Sequence, residues 1–304
     1  MSTQPLRFGL AGTGYWAQIT HAPALASTEG VELTAVWGRN PQAASDLAAE
    51  YQAAAHHDVA AFLAGVDAVC FAMPPDVQAA MAARAARVGK HLLLEKPVAL
   101  SETAADDLVE AVEQAGVASV VFFTQRFQPG VRAWLAEAES RGGWAGAGSA
   151  WLGSALRESN PFNTAWRRDK GGLWDVGPHM VSLLWAGLGP VISVTAEAGP
   201  ADVAHLILRH RDGATSTTTV TLSAAEAAAG FEAYLWGESG RLAAPGGSDD
   251  PVRALRTALG ELAANVRAGQ TRHPCDVWFG RDVGRVLAEA QRQIDARREG
   301  RRAR

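Results

Sequence analysis

Over its first 123 residues the chain alternates short apolar runs with stretches of helical composition, and this alternation constrains the fold more than any other feature. Leu6 to Ala11, Glu32 to Trp37, Asp67 to Ala72, His91 to Leu94 and Val117 to Phe123 read as buried strands. Between them lie helical stretches: one through Leu25, Pro41 to Ala53, Val77 to Val88, and one opening after the N-cap Ser101. Pro41 stands where a first helical turn tolerates proline, and Gly89 where a helix ends. Strands and helices that alternate at this spacing form right-handed βαβ units around a parallel sheet.

The texture changes after residue 123. Gly142-Gly143 and Gly146 to Gly148 read as turns. Ala150 to Leu156, Ile192 to Ala198, Val203 to His210, Ser216 to Leu222 and Phe231 to Leu235 read as strands. Asp212-Gly213 is a hairpin signal. His205 and His210 fall on opposite faces of a regular strand. Gly246 to Asp250 reads as a loop, and helices follow over Pro251 to Ala268 and about Gly280 to Arg298. The expectation is an α/β domain over residues 1–123 and an α+β domain over 124–304, with few helices and a mostly antiparallel sheet.

Charge and composition narrow the function. The 304 residues carry 28 Lys+Arg against 32 Asp+Glu, a net charge of −4, which argues against a general nucleic-acid binder. The arginines from Arg297 to Arg304 read as a solvated helix end. Apolar residues make up 48% and charged residues 20%, the balance of a globular chain. No apolar run is long enough for a membrane span, and the N-terminus lacks a secretory pattern, so a cytoplasmic protein is expected. Cys70 and Cys275 make no disulfide scaffold. His56-His57 has no surrounding ligand set, so no metal site is expected.

Gly12-Thr13-Gly14-Tyr15-Trp16-Ala17 follows an apolar strand and opens a helix, the context in which a G-x-G-x-x-A string binds a dinucleotide. The first glycine makes the turn, the second lets the backbone approach a pyrophosphate, and Ala17 lets helix and strand pack closely. The N–H groups of the helix start then face the phosphates. The second strand ends in Trp37-Gly38-Arg39-Asn40, with no carboxylate for a ribose 2′-hydroxyl. Arg39 suits a 2′-phosphate, which favours NADP over NAD. Stacking on the adenine is its other reading.

Only three lysines occur in the chain: Lys90, Lys96 and Lys170. Lys96 follows a strand in Glu95-Lys96-Pro97, at the strand edge where ligands bind in open α/β sheets. There it can polarise an oxygen or shuttle a proton. It can equally be a surface lysine.

Taken together, the glycine turn, Ala72-Met73-Pro74-Pro75 and Gly89-Lys90-His91 through Glu95-Lys96-Pro97 resemble the Gfo/Idh/MocA oxidoreductase family. The resemblance implies a Rossmann domain followed by an α+β domain whose open sheet builds homodimers or homotetramers. It also implies a cis Lys96–Pro97 bond. The family's second signature resembles Gly171-Gly172-Leu173-Trp174-Asp175-Val176-Gly177-Pro178-His179. By that resemblance Lys96, Asp175 and His179 are the catalytic candidates, with Met73, Pro74, Glu95 and Lys96 near the cofactor and Trp166 and Arg167 near the cofactor or the active-site floor. Gly177-Pro178 reads as a helix start, which would hold His179 neutral and able to accept a hydroxyl proton.

Two positions depart from the family: Gln78 stands where many members have His, and Ser182 where many have an acidic residue. Trp151, Asn160, Phe162 and Asn163 are candidate pocket residues or core residues. The resulting expectation is an NAD(P)-dependent dehydrogenase, NADP favoured, acting on a small sugar, cyclitol or related hydroxyl or carbonyl compound. A cofactor-binding regulator of the same fold is the alternative, as is an oxidoreductase for dihydrodiols or aromatic ketones.

Overall fold

The computed structural model describes residues 4–246 and 250–302. The chain forms two compact units. The first takes the residues up to Phe127 together with Asp250–Asp282, and the second runs from Gln128 to the end of the described loop at Gly246 and resumes at Val283.

The first unit is a doubly wound α/β layer. Its strands are β1 (Leu6–Ala11), β2 (Val31–Trp37), β3 (Ala54–His56), β4 (Ala68–Phe71), β5 (His91–Leu94) and β6 (Ser119–Val121). They lie in the order β3-β2-β1-β4-β5-β6, every described pairing parallel. Such strands are covered on both faces, which explains their unbroken apolar runs: β4 is buried throughout. The order reverses between β1 and β4, the position at which ligands bind outside the strand ends.

Helices α2 (Pro41–Glu50), α3 (Val59–Ala64), α4 (Pro75–Arg87) and α5 (Glu102–Ala115) connect the strands. Their ends follow local chemistry. Asn40 Oδ1 accepts from Gln42 and Ala43 N–H, and Asp58 Oδ1 from Ala61 N–H. Ser101 Oγ accepts from Ala104 N–H, as its sequence position predicts. The first crossover is less regular than expected: a single π turn (Ala17–His21) precedes α1 (Ala22–Ser27). α9 (Pro251–Arg267) also belongs to this unit and packs on α1.

The second unit is built on β7 (Trp144–Leu152), β8 (Val191–Ala198), β9 (Ala204–His210), β10 (Thr215–Thr221), β11 (Gly230–Gly237) and β12 (Gly240–Ala243), in the order β12-β11-β7-β10-β9-β8. The sheet is mixed and mostly antiparallel, with β7 and β10 as its parallel pair. β9 alternates strictly, so His205, Ile207 and Arg209 face outward while Leu206, Leu208 and His210 are buried.

The unit holds more helix than expected: α6 (Pro129–Arg141), α7 (Ala165–Asp175), α8 (Gly177–Leu188) and most of α10 (Val277–Arg302). The strand expected over Ala150–Leu156 instead spans Trp144–Leu152, through glycines that read as turns. A Cβ on Gly146 would stand 2.5 Å from the Trp236 ring, and one on Gly148 2.5 Å from Tyr234 Oη. These glycines make room for aromatic rings from the neighbouring strand. The loop expected at Gly246 to Asp250 and the terminal arginines lie partly outside the described residues.

Candidate active site

Gly12 adopts φ +129°, and a Cβ there would stand 2.2 Å from Ala72 O at the end of β4. The turn is therefore seated against the strand across the switch point, and only glycine fits. Gly14 differs. A Cβ built on it meets no protein atom within 4 Å, so the protein itself does not require glycine there. Open space over an exposed backbone at a helix start is what a pyrophosphate needs, and the turn fits a dinucleotide. Gly38 packs on Thr13 of the same turn, at 2.7 Å from a built Cβ to Thr13 Cγ2. Arg39 is exposed just beyond β2 and has no hydrogen-bond partner among the described residues. Asn40 spends its side-chain oxygen on the α2 cap. Tyr15 is 46% exposed beside the turn, while Met73 and Pro74 lead from β4 into α4.

Lys96 follows β5, and the Lys96–Pro97 bond is cis, as the resemblance implies. The backbone around it is held from α4. Buried Gln78 accepts from Glu95 N–H at 2.8 Å and donates to Glu95 O at 2.8 Å, with Pro97 O and Val98 O each at 3.4 Å. Gln78 thus uses its carboxamide to donate and accept at once. The Glu95 side chain turns toward the glycine turn, where the Trp16 indole N–H donates to its Oε1 at 2.7 Å. Its Oε2 accepts from Lys96 N–H at 3.2 Å. His21, fully buried, brings Nε2 to 3.3 Å from Glu95 Oε1 without the alignment of a hydrogen bond. Neither Gln78's staple nor His21 carried a role in the sequence reading. Both become legible only when strands far apart in the chain are laid side by side.

In the second unit Asp175 and His179 are both buried, at the end of α7 and in the first turn of α8. The predicted helix start at Gly177-Pro178 is present. Arg167 Nε donates to Asp175 Oδ2 at 2.8 Å, and the guanidinium lies over Trp166 and Phe162. The Trp151 ring tilts over His179 at 5.2 Å, with Phe231 edge-on to Trp151. Ser182 is fully buried and donates to His179 O at 2.8 Å. Asn160 and Asn163 hold the preceding loop by bonding its own backbone.

The approach to α8 is set by Asp202, which sequence reasoning missed. Its carboxylate accepts from Gly172 N–H, Leu222 N–H and Thr221 Oγ1 at 2.7–2.8 Å. Burial alone would push this carboxyl up, but the hydrogen bonds from Thr221, Ser223, Leu222 and Gly172 hold it below the usual carboxylate range. Gly171 takes φ +63°, and a Cβ on Gly172 would stand 2.6 Å from Thr221 Cα. Gly171 is therefore required by its positive φ and Gly172 by close approach to β10. Among the described residues no group of three His, Cys, Asp or Glu is arranged to hold a metal ion, and no helix is long and apolar enough to cross a membrane.

Residues 6–123 match the family described as an oxidoreductase family with an NAD-binding Rossmann fold, and residues 147–243 match the GFO/IDH/MocA C-terminal domain. The chain belongs to the GFO/IDH/MocA oxidoreductase family. Among its relatives is 4-carboxy-2-hydroxymuconate-6-semialdehyde dehydrogenase of Sphingobium sp. SYK-6, 32% identical over 127 residues, which are 41% of this chain and 40% of the relative. Inositol 2-dehydrogenase of Rhizobium meliloti is 32% identical over 125 residues, 41% of this chain and 38% of the relative. The matches thus cover about two fifths of these curated relatives. The fold extends further. The structure of UDP-N-acetylglucosamine 3-dehydrogenase from Acidithiobacillus ferrooxidans superposes with TM-score 0.82 at 21% identity, covering 96% of this chain and 98% of that one.

Proposed function

We propose that this GFO/IDH/MocA chain is an NADP-preferring dehydrogenase of a sugar, cyclitol or related hydroxyl or carbonyl compound. The observation that carries the cofactor half is the glycine turn at the β1/β4 switch point, open above Gly14, with exposed Arg39 in place of a carboxylate after β2. Backbone N–H groups of the turn through Tyr15, Trp16 and Ala17 would face the pyrophosphate, and the Arg39 guanidinium the 2′-phosphate. Gly38, Asn40, Met73, Pro74 and Glu95 border that path, and Trp166 and Arg167 are assigned to the cofactor by family resemblance. The nicotinamide supplies hydride transfer when bound. An imidazole nitrogen of His179 accepts the substrate hydroxyl proton, and Lys96 Nζ steadies the developing alkoxide. Asp175 stabilises the charge that His179 gains. Reduction runs the same proton path backwards.

The substrate half draws on the names of the relatives, inositol 2-dehydrogenase among them. One observation favours a second reading, a planar dihydrodiol or aromatic ketone: the Trp151 and Phe231 rings cluster at His179. The exposed face of the second sheet is the surface on which a homodimer or homotetramer would form.

The test is a titration of the purified chain with NADPH and NADH, followed through its ten tryptophans, beside Arg39→Ala and Lys96→Ala. Preferential NADPH binding that weakens about tenfold or more in Arg39→Ala, a loss of about 1.4 kcal/mol, is expected. Tighter NADH binding would overturn the assignment of Arg39. Lys96→Ala should still bind cofactor yet turn over no compound in a panel of polyols, sugars and aromatic ketones.

A further inference from the structure

Two segments with separate parts in the proposed reaction are joined by one hydrogen bond. Trp16 belongs to the glycine turn, and Glu95 immediately precedes Lys96. The 2.7 Å bond from the indole N–H to Glu95 Oε1 crosses 79 residues of sequence. Glu95 is buried, so its carboxylate exchanges water for a small number of fixed donors. One of them is the Lys96 peptide N–H, on Oε2. On the other side of the same residue, Gln78 takes both the Glu95 N–H and the Glu95 carbonyl. The backbone at Glu95 is thus pinned from α4, and its side chain reaches from the glycine turn to the peptide of Lys96. His21 closes the cluster: its Nδ1 is 3.3 Å from Trp16 O, and its ring meets Trp16 edge-on at 6.1 Å. The π turn over Ala17–His21 follows Trp16 and ends at His21. Such turns occur often at functional sites.

We propose that the Trp16 indole and the Glu95 carboxylate are positioning residues for Lys96, holding the lysine's backbone to the dinucleotide-binding turn. Their side chains serve each other, and only the Trp16 backbone faces the cofactor. The consequence is that the turn which holds the dinucleotide also sets the origin of the lysine side chain. This rests on the reading of Lys96 as the residue that acts on the substrate oxygen.

The low lysine count permits a direct test. Lys96 is modified by a limiting amine-reactive acetyl ester and compared, by peptide mass spectrometry, with Lys90 and Lys170 in the same molecule. These two are internal references, since Lys90 donates to Val66 O and Lys170 pairs with Asp169. The comparison runs over wild type, Trp16→Phe, Glu95→Leu, Glu95→Gln and the Trp16→Phe/Glu95→Leu double variant. NADPH affinity is measured in each by calorimetry, and folding by thermal unfolding.

Trp16→Phe and Glu95→Leu should each change the relative rate at Lys96 by about threefold or more, and the double variant by no more than the larger single effect. Glu95→Gln keeps an acceptor for the indole, so it should show less than half the Glu95→Leu effect. Any change in NADPH affinity should be smaller than the change in the Lys96 rate. An unchanged Lys96 rate, or fully additive single effects, would overturn the proposal. So would an unchanged Lys96 rate with NADPH binding weakened about tenfold, which would make the two side chains cofactor contacts. If Trp16→Phe does not fold, the two Glu95 variants carry the test. Failure of the wild type to bind either nucleotide would sink the proposed function instead, and the labelling comparison would still be readable.

Discussion

The two glycines of the dinucleotide turn do different work, and the difference is measurable. Gly12 needs its φ of +129° and the 2.2 Å approach to Ala72 O, so Gly12→Ala forces backbone against backbone. A loss of about 3 kcal/mol in urea unfolding, or failure to fold, is expected. Gly14→Ala meets no protein atom. Its stability should stay within about 0.5 kcal/mol of wild type while NADPH affinity falls markedly. Loss of fold and retention of fold from two glycines of one motif would separate a steric need of the chain from a steric need of the ligand. Equal stability of the two variants would contradict the account of Gly12.

Asp202 acts at the scale of elements, tying the start of α7's last turn to the end of β10 through Gly172, Thr221 and Leu222. Asp202→Asn keeps the volume but removes the charge from bonds that are strongest when the acceptor is ionised. At neutral pH the variant should lose about 2 kcal/mol of stability. The sign with pH follows from the lowered carboxyl of Asp202. The stabilisation is full above the unfolded value of about 3.9 and is lost as pH falls through the lower folded value. The gap between wild type and Asp202→Asn in chemical unfolding should therefore close on acidification. A gap independent of pH would mean that shape, not charge, holds this turn.

At the scale of the molecule, the second sheet leaves one face outward. Along one row across it stand Thr195, Ile207, Thr217, Gly148, Tyr234 and Ala243. Ile207 is 51% and Trp236 47% exposed on this face, large apolar groups that a second copy would cover. Sedimentation velocity should find wild type as a dimer or tetramer and Ile207→Glu as a monomer, because the interface would have to bury an unpaired carboxylate. A wild-type monomer at micromolar concentration would remove this surface from consideration.

The first unit was legible from the sequence because its signals are local. Apolar runs, Pro and Gly punctuation and N-caps such as Ser101 act within a few residues, and the β5 run His91–Leu94 stands where it was expected. The glycine turn was legible for the same reason, and the cis bond before Pro97 stands where the family resemblance implied it.

What the sequence misplaced depends on partners distant in the chain. Gly146 and Gly148 read as turns because glycine breaks strands locally. They lie within β7 because Trp236 and Tyr234 occupy the space their side chains would take. His21 and Asp202 were silent, and Gln78 showed only as a departure from the family, because a buried polar group declares its role only through the donors and acceptors that folding brings to it. Sequence by itself determined the alternating strands and helices of the first unit and the short motifs they carry. Tertiary structure alone decided which polar groups meet, since a hydrogen bond across 79 residues leaves no local pattern to read.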